Sequence, residues 1–341
     1  MTMRENLKAA VVGATGVLGA ELLAILSEQE WSFETLELFA SRESAGEFYQ
    51  YGGSEFEIVE LTDYKTLQNF DCVFLCVPPE ILIELEPIFD SSRQLVIDVT
   101  GSGFKSANAR SILAGVDLDD DPAPGQFGLF FNPNPITCQL APILCKVHKK
   151  VQITNIVAST YQSVSDAGKL ALDELWDQTR SVFTQKHASQ DAFHHQIAFN
   201  CIPQIDTFLE DGSTRVEKKI ADQIRSNLKA PELPISITCV RVPVFHSHCV
   251  SLYIETVSSF DQGDFNMVVE SLPYVQLANH PEEFPMPVGV TSSDEIFIGR
   301  VRSSTTPRHS LALWIVADNL RRGAVINAIE ILKQCTEYRH H

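Results

Sequence analysis

Positively charged residues are scarce in this chain, which has 26 Lys and Arg against 44 Asp and Glu among its 341 residues. The formal net charge is −18 at pH 7. Nucleic acids and anionic membrane surfaces are bound by clustered Lys and Arg. The composition therefore argues against both as partners. It leaves room for a small acidic metabolite, which needs only a few local cations.

Long apolar runs and paired cysteine motifs are also absent. No stretch approaches the roughly 18 apolar residues that a membrane-spanning helix needs. The eight cysteines mostly stand singly inside apolar stretches, without the repeated Cys/His spacing of a zinc site. We therefore expect reduced, buried thiols, no metal, no membrane association and a cytoplasmic location.

Strand and helix patterns alternate along the first part of the chain. The strand patterns fall at 8–12, 36–40, 72–77 and 94–99, and the helical patterns at 20–27 and 81–89. Alternation with short connections predicts a parallel sheet covered by helices on both faces. The expected fold class is α/β, beginning with a Rossmann-type dinucleotide-binding domain.

The pattern changes after Pro135, where a helix is expected to begin because Asn134 can cap it and proline suits its first position. β-rich stretches then alternate with longer helices, which predicts a second, α+β domain of mixed or antiparallel sheet with helices on one face. The strand patterns are 151–161, 235–244 and 250–257, and the helical patterns 167–183, 216–228 and a long final one at 310–333. We predict one domain from 1–133 with 318–341, and another from 134–317.

A glycine-rich turn, Gly13-x-x-Gly16-x-x-Gly19, lies between the first strand and the first helix. Such a turn brings backbone N–H groups and a helix N-terminus against a pyrophosphate. The candidate cofactor-binding residues at this turn are Gly13, Thr15, Gly16, Val17 and Gly19. After the second strand, Ser41, Arg42 and Ser44 are placed to receive the 2′-phosphate of NADP, whereas Glu43 would oppose it.

Four further stretches carry polar residues in apolar surroundings: TYQSVSDAG at 160–168, FNCIPQID at 199–206, VRVPVFHSH at 240–248 and ADNLRRG at 317–323. Together with the glycine turn and FNPNPITCQ at 131–139, and in this order, they resemble aspartate-semialdehyde dehydrogenase over nearly the whole chain. The resemblance implies reduction of an acyl phosphate to an aldehyde with NADPH through a cysteine thioester, by a homodimer.

The resemblance also implies roles for single residues. Gln162 matches the glutamine that orients the substrate, His248 the acid/base histidine and Asn134 the asparagine at the oxyanion. Arg241 matches the arginine that binds the substrate carboxylate, and Asn319 the asparagine near the nicotinamide. Two lysines complete the set, Lys105 at the phosphate site and Lys218 in a substrate-supporting step.

This sequence departs from the family at the nucleophile. The helix start that reads Asn-Pro-Asn-Cys in the family reads Asn132-Pro-Asn-Pro135 here, so the thiol and one N–H are both missing. The candidate substitute for the missing nucleophile is Cys138, which lies about 4.5 Å further along the helix than Pro135 and nearly one turn on. An Ala-Gly-Gly turn near the cofactor becomes Val77-Pro78-Pro79, and a glycine near the nicotinamide becomes Asp166.

Two hypotheses follow. In the first, the chain resembles the non-catalytic bacterial paralogues of the enzyme: it lacks thioester chemistry and has a nucleotide-binding, metabolite-binding or partner role. In the second, it is an active NADP-dependent aspartate-semialdehyde dehydrogenase or related aldehyde oxidoreductase that uses Cys138 or another mechanism. Gln162 and Arg241 are also explained as buried hydrogen-bonding groups. His246 and His248 lie two apart on a strand and share a face, but no third metal-ligand candidate is nearby, so without the resemblance each is interpreted as a structural histidine.

Overall fold

The computed structural model describes residues 7–116, 122, 125–184, 189–304 and 309–336. Contacts divide the chain into a first unit, Met1–Pro133 with Ala324–His341, and a second unit, Asn134–Gly323. The predicted return of the chain at residue 318 differs from this division, because residues 318–323 belong to the second unit.

Fourteen strands are present in the described residues: β1 Lys8–Val12, β2 Thr35–Ala40, β3 Phe48–Tyr51, β4 Ser54–Glu60, β5 Cys72–Leu75, β6 Leu95–Asp98, β7 Arg110–Ser111, β8 Gly128–Phe131, β9 Ile153–Gln162, β10 Ile235–Arg241, β11 His248–Thr256, β12 Val275–Leu277, β13 Ile296–Ser304 and β14 Ser310–Ala317. The α-helices of the same residues are α1 Val17–Glu28, α2 Pro79–Leu85, α3 Pro135–Val151, α4 Lys169–Thr184, α5 Arg215–Asn227, α6 Gln262–Val269, α7 Pro287–Val290 and α8 Ile326–Thr336. A π-helical turn, Arg321–Val325, precedes α8.

The first unit is built on an eight-stranded sheet in the order β3-β4-β2-β1-β5-β6-β8-β7. All its strand pairs are parallel except the β3–β4 hairpin. The central strands β5 and β6 are buried throughout, as expected when helices cover both faces of a parallel sheet. One face packs against apolar residues of α1 and α8 in a single core.

The second unit contains a six-stranded mixed sheet in the order β10-β9-β11-β14-β13-β12. β9 pairs with β10 in parallel and with β11 antiparallel, and β14 pairs antiparallel with both β11 and β13. Helix α3 contacts β9 and β14. These two units confirm the predicted fold class, a Rossmann-type domain and a second domain with a mixed sheet.

The prediction of one long helix over 310–333 is wrong. Residues 310–317 form β14, which lies inside the second sheet, and the helix that joins the first unit begins only at Ile326. An inner strand is apolar on both faces, so its sequence has no clear period of two. Among the described residues, no helix has the length and apolar character to cross a membrane.

Candidate active site

The glycine-rich turn joins β1 to α1 in the first unit. Gly13 has a left-handed backbone (φ +85°), and a Cβ there would collide with the carbonyl of Cys76. A Cβ on Gly19 would collide with the carbonyl of Gly13, so both positions need glycine. No side chain caps α1 at Gly16, which leaves the first-turn N–H groups, beginning at Val17, for an anion.

The end of β2 lies directly beside this turn, because Gly13 N–H donates to the Phe39 carbonyl at 2.8 Å. The turn that follows β2 carries Ser41, Arg42 and Ser44, of which Ser41 and Arg42 are exposed. Exposed Thr15 lies within the glycine turn itself. The uncapped helix end and the cation after β2 fit the phosphates of a dinucleotide.

The departure at 77–79 also lies beside the glycine turn. Val77 Cγ1 would be 3.2 Å from a Cβ on Gly13, and α2 begins at Pro79 directly after Pro78. Since proline has no N–H, neither Pro78 nor Pro79 offers a backbone donor to a bound ligand. Lys105, the candidate phosphate ligand, is exposed in the same unit, and its backbone N–H donates to Glu86 Oε2 at 2.8 Å.

In the second unit, Asn134 caps α3 and Pro135 is its first residue. The Asn134 side chain accepts a hydrogen bond from the backbone N–H of Ile136 at 2.9 Å. The backbone N–H of Asn134 donates to Gln223 Oε1 at 3.0 Å. Gly323 lies so close that a Cβ there would be 2.9 Å from the Cβ of Pro135. The helix start is thus formed as the sequence predicts, with the pyrrolidine ring of Pro135 at its first position.

Strand register brings three of the predicted residues together. Arg241, the last residue of β10, is the register partner of Gln162, the last residue of β9. His248 begins the neighbouring strand β11, opposite Ala317 at the end of β14. All three side chains are buried, and Gln162 donates to the Thr160 hydroxyl at 3.1 Å.

Asn319, two residues after β14, connects this group through a buried hydrogen-bond network. Its Oδ1 accepts the N–H of Ser247 at 2.9 Å and the hydroxyl of Ser163 at 3.1 Å. Its Nδ2 donates to the Ser165 hydroxyl at 3.0 Å. With only 1% exposed, Asn319 holds the residues around His248 in place.

The hydrogen bonds of His248 fix its tautomer. Nδ1 accepts the backbone N–H of Ser163 at 3.1 Å, so the proton of the neutral ring is on Nε2. Nε2 is buried, and it has no hydrogen-bond partner among the described residues. Burial lowers the pKa of His248 to about 4, although the Asp166 carboxylate partly opposes this. The ring is therefore neutral near pH 7.

Arg241 is paired with Asp166. Its Nη2 donates to Asp166 Oδ2 at 3.0 Å, while its Nη1 donates to the Ser163 carbonyl at 2.6 Å. Burial acts to raise the pKa of Asp166, but the charge of Arg241, with help from His248 and Lys219, holds this pKa below its ordinary value. Asp166 was predicted to lie near a nicotinamide, and its structural partner is the arginine.

The two neighbouring lysines of α5 differ in their surroundings. Lys218, the candidate that matched the family step, is paired with Asp222 at 3.1 Å, and both side chains are more than half exposed. Lys219 is less exposed, and its charge acts on Asp166. Lys219, the next residue of α5, is thus a further candidate cation for the buried group beside the predicted Lys218.

All eight cysteines lie in the described ranges, and none forms a disulfide. Cys138 is 1% exposed on α3. Burial raises the pKa of both Cys239 and Cys249 to about 12, so these thiols are protonated near pH 7. Within the described part of the chain, no group of three or more His, Cys, Asp or Glu side chains is arranged to hold a metal ion.

Sequence reasoning missed the serines of this group. Ser163, Ser165 and Ser247 lie inside the quoted motifs, but their hydroxyls were given no role. The signal was present, since three serines in otherwise apolar strand ends need buried partners. Asn319, which bonds the hydroxyls of Ser163 and Ser165 and the backbone N–H of Ser247, is far away in sequence.

Comparisons with known proteins agree with this arrangement. Residues 8–110 match "Semialdehyde dehydrogenase, NAD binding domain", and residues 140–322 match "Semialdehyde dehydrogenase, dimerisation domain". The aspartate-semialdehyde dehydrogenase of Aquifex aeolicus is 33% identical over 327 residues, covering 95% of this chain and 96% of the relative. That of Bacillus subtilis is 31% identical over 340 residues, covering 96% and 97%.

A solved structure is also similar along nearly its whole length. The crystal structure of aspartate semialdehyde dehydrogenase II from Vibrio cholerae, complexed with ASA, has a TM-score of 0.86 and 29% identity. The match covers 97% of this chain and 98% of that one. The chain therefore belongs to the aspartate-semialdehyde dehydrogenase family.

Proposed function

We propose that this chain is a non-catalytic member of its family, which does not perform the thioester-based reductive dephosphorylation of L-aspartyl phosphate. The observation that carries the proposal is Pro135 at the first position of α3. Proline has neither a thiol for attack on a carbonyl nor an N–H for an oxyanion. No protonation change in its surroundings supplies either group.

The cysteines give little support to displaced chemistry. Cys138 is the fourth residue of α3 and its side chain is only 1% exposed. A substrate carbonyl would therefore have to enter the packed core to reach it. Cys239 and Cys249 are closer in sequence to Arg241 and His248, but burial keeps both protonated. A protonated thiol is a poor nucleophile.

The retained role that the site supports best is nucleotide binding by the first unit, with NADP as the candidate cofactor. The glycine turn supplies backbone N–H groups for the pyrophosphate, and Arg42 supplies the cation for a 2′-phosphate. When bound, such a cofactor supplies or accepts a hydride. The residues of this chain would hold the phosphates of the cofactor. The Pro78-Pro79 step would reduce the number of backbone N–H donors around it.

A homodimer is the second part of the proposal. The dimerisation-domain match includes α4, on which Trp176 and Phe183 are 57% and 76% exposed. Phe199 packs edge-on against Phe183, with ring centroids 6.0 Å apart, and Phe245 lies near Trp176 at 6.4 Å. These four rings, here called the aromatic face, support pairing with a second copy, since exposed apolar patches mark interaction surfaces.

The activity proposal is tested with purified protein, aspartate semialdehyde, phosphate and NADP⁺, by following NADPH absorbance. We expect no turnover by the wild type. Pro135→Cys is run in parallel to ask whether the nucleophile alone is missing, and NADP⁺ binding to the same preparation is measured by calorimetry. Turnover by the wild type that Cys138→Ala abolishes would overturn the proposal and favour the displaced thiol.

A further inference from the structure

The guanidinium of Arg241 is a buried cation that already has a carboxylate. The Arg241 side chain is 6% exposed, whereas that of its partner Asp166 is 26% exposed. The carboxylate is therefore the solvent-facing half of the pair. Buried arginines with free donors are strong, geometrically specific binders of carboxylates. In this chain one such donor is used internally.

The position of the Asp166 carboxylate resembles that of a bound ligand. One oxygen, Oδ2, accepts from Arg241 Nη2 at 3.0 Å, and the other, Oδ1, is 3.9 Å from His248 Nε2. That nitrogen carries the proton of the neutral ring and has no hydrogen-bond partner. The carboxylate thus faces two donors from separate strands.

We infer that Asp166 is an internal ligand that closes a latent carboxylate-binding site formed by Arg241 and His248. The inference concerns the same site as the proposed function and rests on it for the absence of turnover. Its consequence is that the wild-type chain does not bind a small acidic metabolite through Arg241. Removal of the Asp166 carboxylate opens the site to a free carboxylate.

Arg241 is held in place without Asp166. Its backbone N–H donates to the Ile202 carbonyl at 2.8 Å, and the Ile202 N–H returns the bond at 2.9 Å. Its Nη1 bond to the Ser163 carbonyl is also independent of the aspartate. Loss of the carboxylate therefore leaves a fixed guanidinium that lacks a counter-charge, which is costly for a buried group. An added carboxylate restores the balance.

There is also space near the arginine. Arg241 lines a cavity of about 330 Å³ together with Phe193, His194, His195, Gln204 and Asp206, among others. Asp166 and His248 are not part of its lining, so the space for a ligand at the closed site comes from loss of the Asp166 side chain. Asp166 itself lies in the short 3₁₀ turn Val164–Ala167 between β9 and α4, so a smaller side chain there does not interrupt a long element.

The test is a titration with succinate, a small dicarboxylate, against the wild type and Asp166→Ala. We expect Asp166→Ala to bind succinate, and the wild type to show no binding at concentrations up to at least about ten times the Kd of the variant. Because the ligand binds only the folded chain, saturating succinate should raise the Tm of the variant by about 2–4 °C and leave the wild-type Tm unchanged. Sodium chloride at equal ionic strength should produce neither effect.

Two variants identify the site. Asp222→Asn removes a carboxylate from an exposed ion pair of α5, and it should behave as the wild type does. Arg241→Leu combined with Asp166→Ala should abolish the gained binding. Succinate binding by the wild type that Arg241→Leu removes, or equal weak binding by the wild type and Asp166→Ala, overturns the inference.

The wild-type titration keeps the inference falsifiable even where a variant fails to fold, since the wild type must be silent. The inference also fails separately from the activity proposal. NADPH production by the wild type contradicts the proposed lack of activity. Succinate binding at Arg241 without turnover contradicts only the closed site.

Discussion

At the residue scale, the strain at Ser247 explains how His248 is positioned. Ser247 has a left-handed backbone, with φ 74°, and is buried. Such a conformation costs a non-glycine residue about 1–3 kcal/mol and persists where the surroundings enforce it. Here the Ser247 N–H donates to Asn319 and its hydroxyl lies 3.2 Å from that of Thr291. The same network places Ser163 against the ring.

The buried, neutral state of His248 predicts loss of stability in acid. Burial lowers the pKa of His248 in the folded chain to about 4; Asp166 and Asp318 act to raise this pKa, and Arg241 acts to lower it. In the unfolded chain the pKa is about 6.5. The unfolded chain therefore binds more protons between these values, so stability falls as pH decreases from 6.5 toward 4. We expect this residue to account for a loss of about 2 kcal/mol in unfolding free energy between pH 7 and pH 5.

Urea unfolding of the wild type and His248→Gln at both pH values measures this contribution. The glutamine variant should show a pH-dependent loss smaller by that amount. Ser247→Gly alters the same network without removing a titratable group, so it should keep the wild-type pH dependence. An unchanged pH dependence in His248→Gln would mean that the pKa of the ring in the folded chain is close to its unfolded value.

At the scale of single elements, the close approach of α1 to the glycine turn determines the effect of Gly19→Ala. Elsewhere in a helix, replacement of glycine by alanine usually increases stability. Alanine is the better helix former by about 1 kcal/mol. At Gly19, however, its Cβ would collide with the backbone carbonyl of Gly13, which has no flexible end to move. Overpacking of this kind costs about 1–3 kcal/mol.

We therefore expect Gly19→Ala to lower the unfolding free energy by about 1–3 kcal/mol and to weaken NADP⁺ binding, as measured by urea unfolding and calorimetry. Gly289→Ala is the matched control, because a Cβ on Gly289 has no neighbour within 4 Å. That variant should be as stable as the wild type. Equal stability of Gly19→Ala would show that the turn can relax.

Local signals were sufficient for some elements and insufficient for others. The cap at Asn134 and the proline after it predicted the start of α3, since both act within one helical turn. The apolar period at 310–333 combined a strand and a helix, because only long-range pairing with β11 and β13 makes residues 310–317 a strand. β3, β4, β7, β8, β12 and β13 were not predicted.

The same distinction applies to the site. Gln162, Arg241 and His248 were found as residue types within motifs, and their grouping follows from the β9–β10 and β9–β11 registers. The Arg241–Asp166 pair joins residues 75 positions apart and depends on the turn after β9. A side-chain pairing of this kind leaves no periodic signal in a sequence.

At the scale of the whole molecule, each unit has its own chemistry. The first has an uncapped helix end and an exposed arginine, and the second contains the buried Arg241–Asp166 and His248 group. The exposed apolar side chains of the described part of the second unit include the four rings of the aromatic face. A role in association accords with the proposed absence of turnover.

The aromatic face predicts that a charge on α4 separates a dimer into single chains. Trp176 and Phe183 are seven residues apart, so they lie on one side of the helix. Phe183→Arg replaces one ring with a cation beside the three others, which would be desolvated on pairing, and should weaken association by at least about a hundredfold. Sedimentation velocity over a concentration series measures the change. Phe48→Arg, at an equally open position (Phe48 is 64% exposed) in the first unit, should leave association unchanged. A wild type that sediments as one chain at all concentrations, or a Phe183→Arg variant that still pairs, would place the partner surface elsewhere.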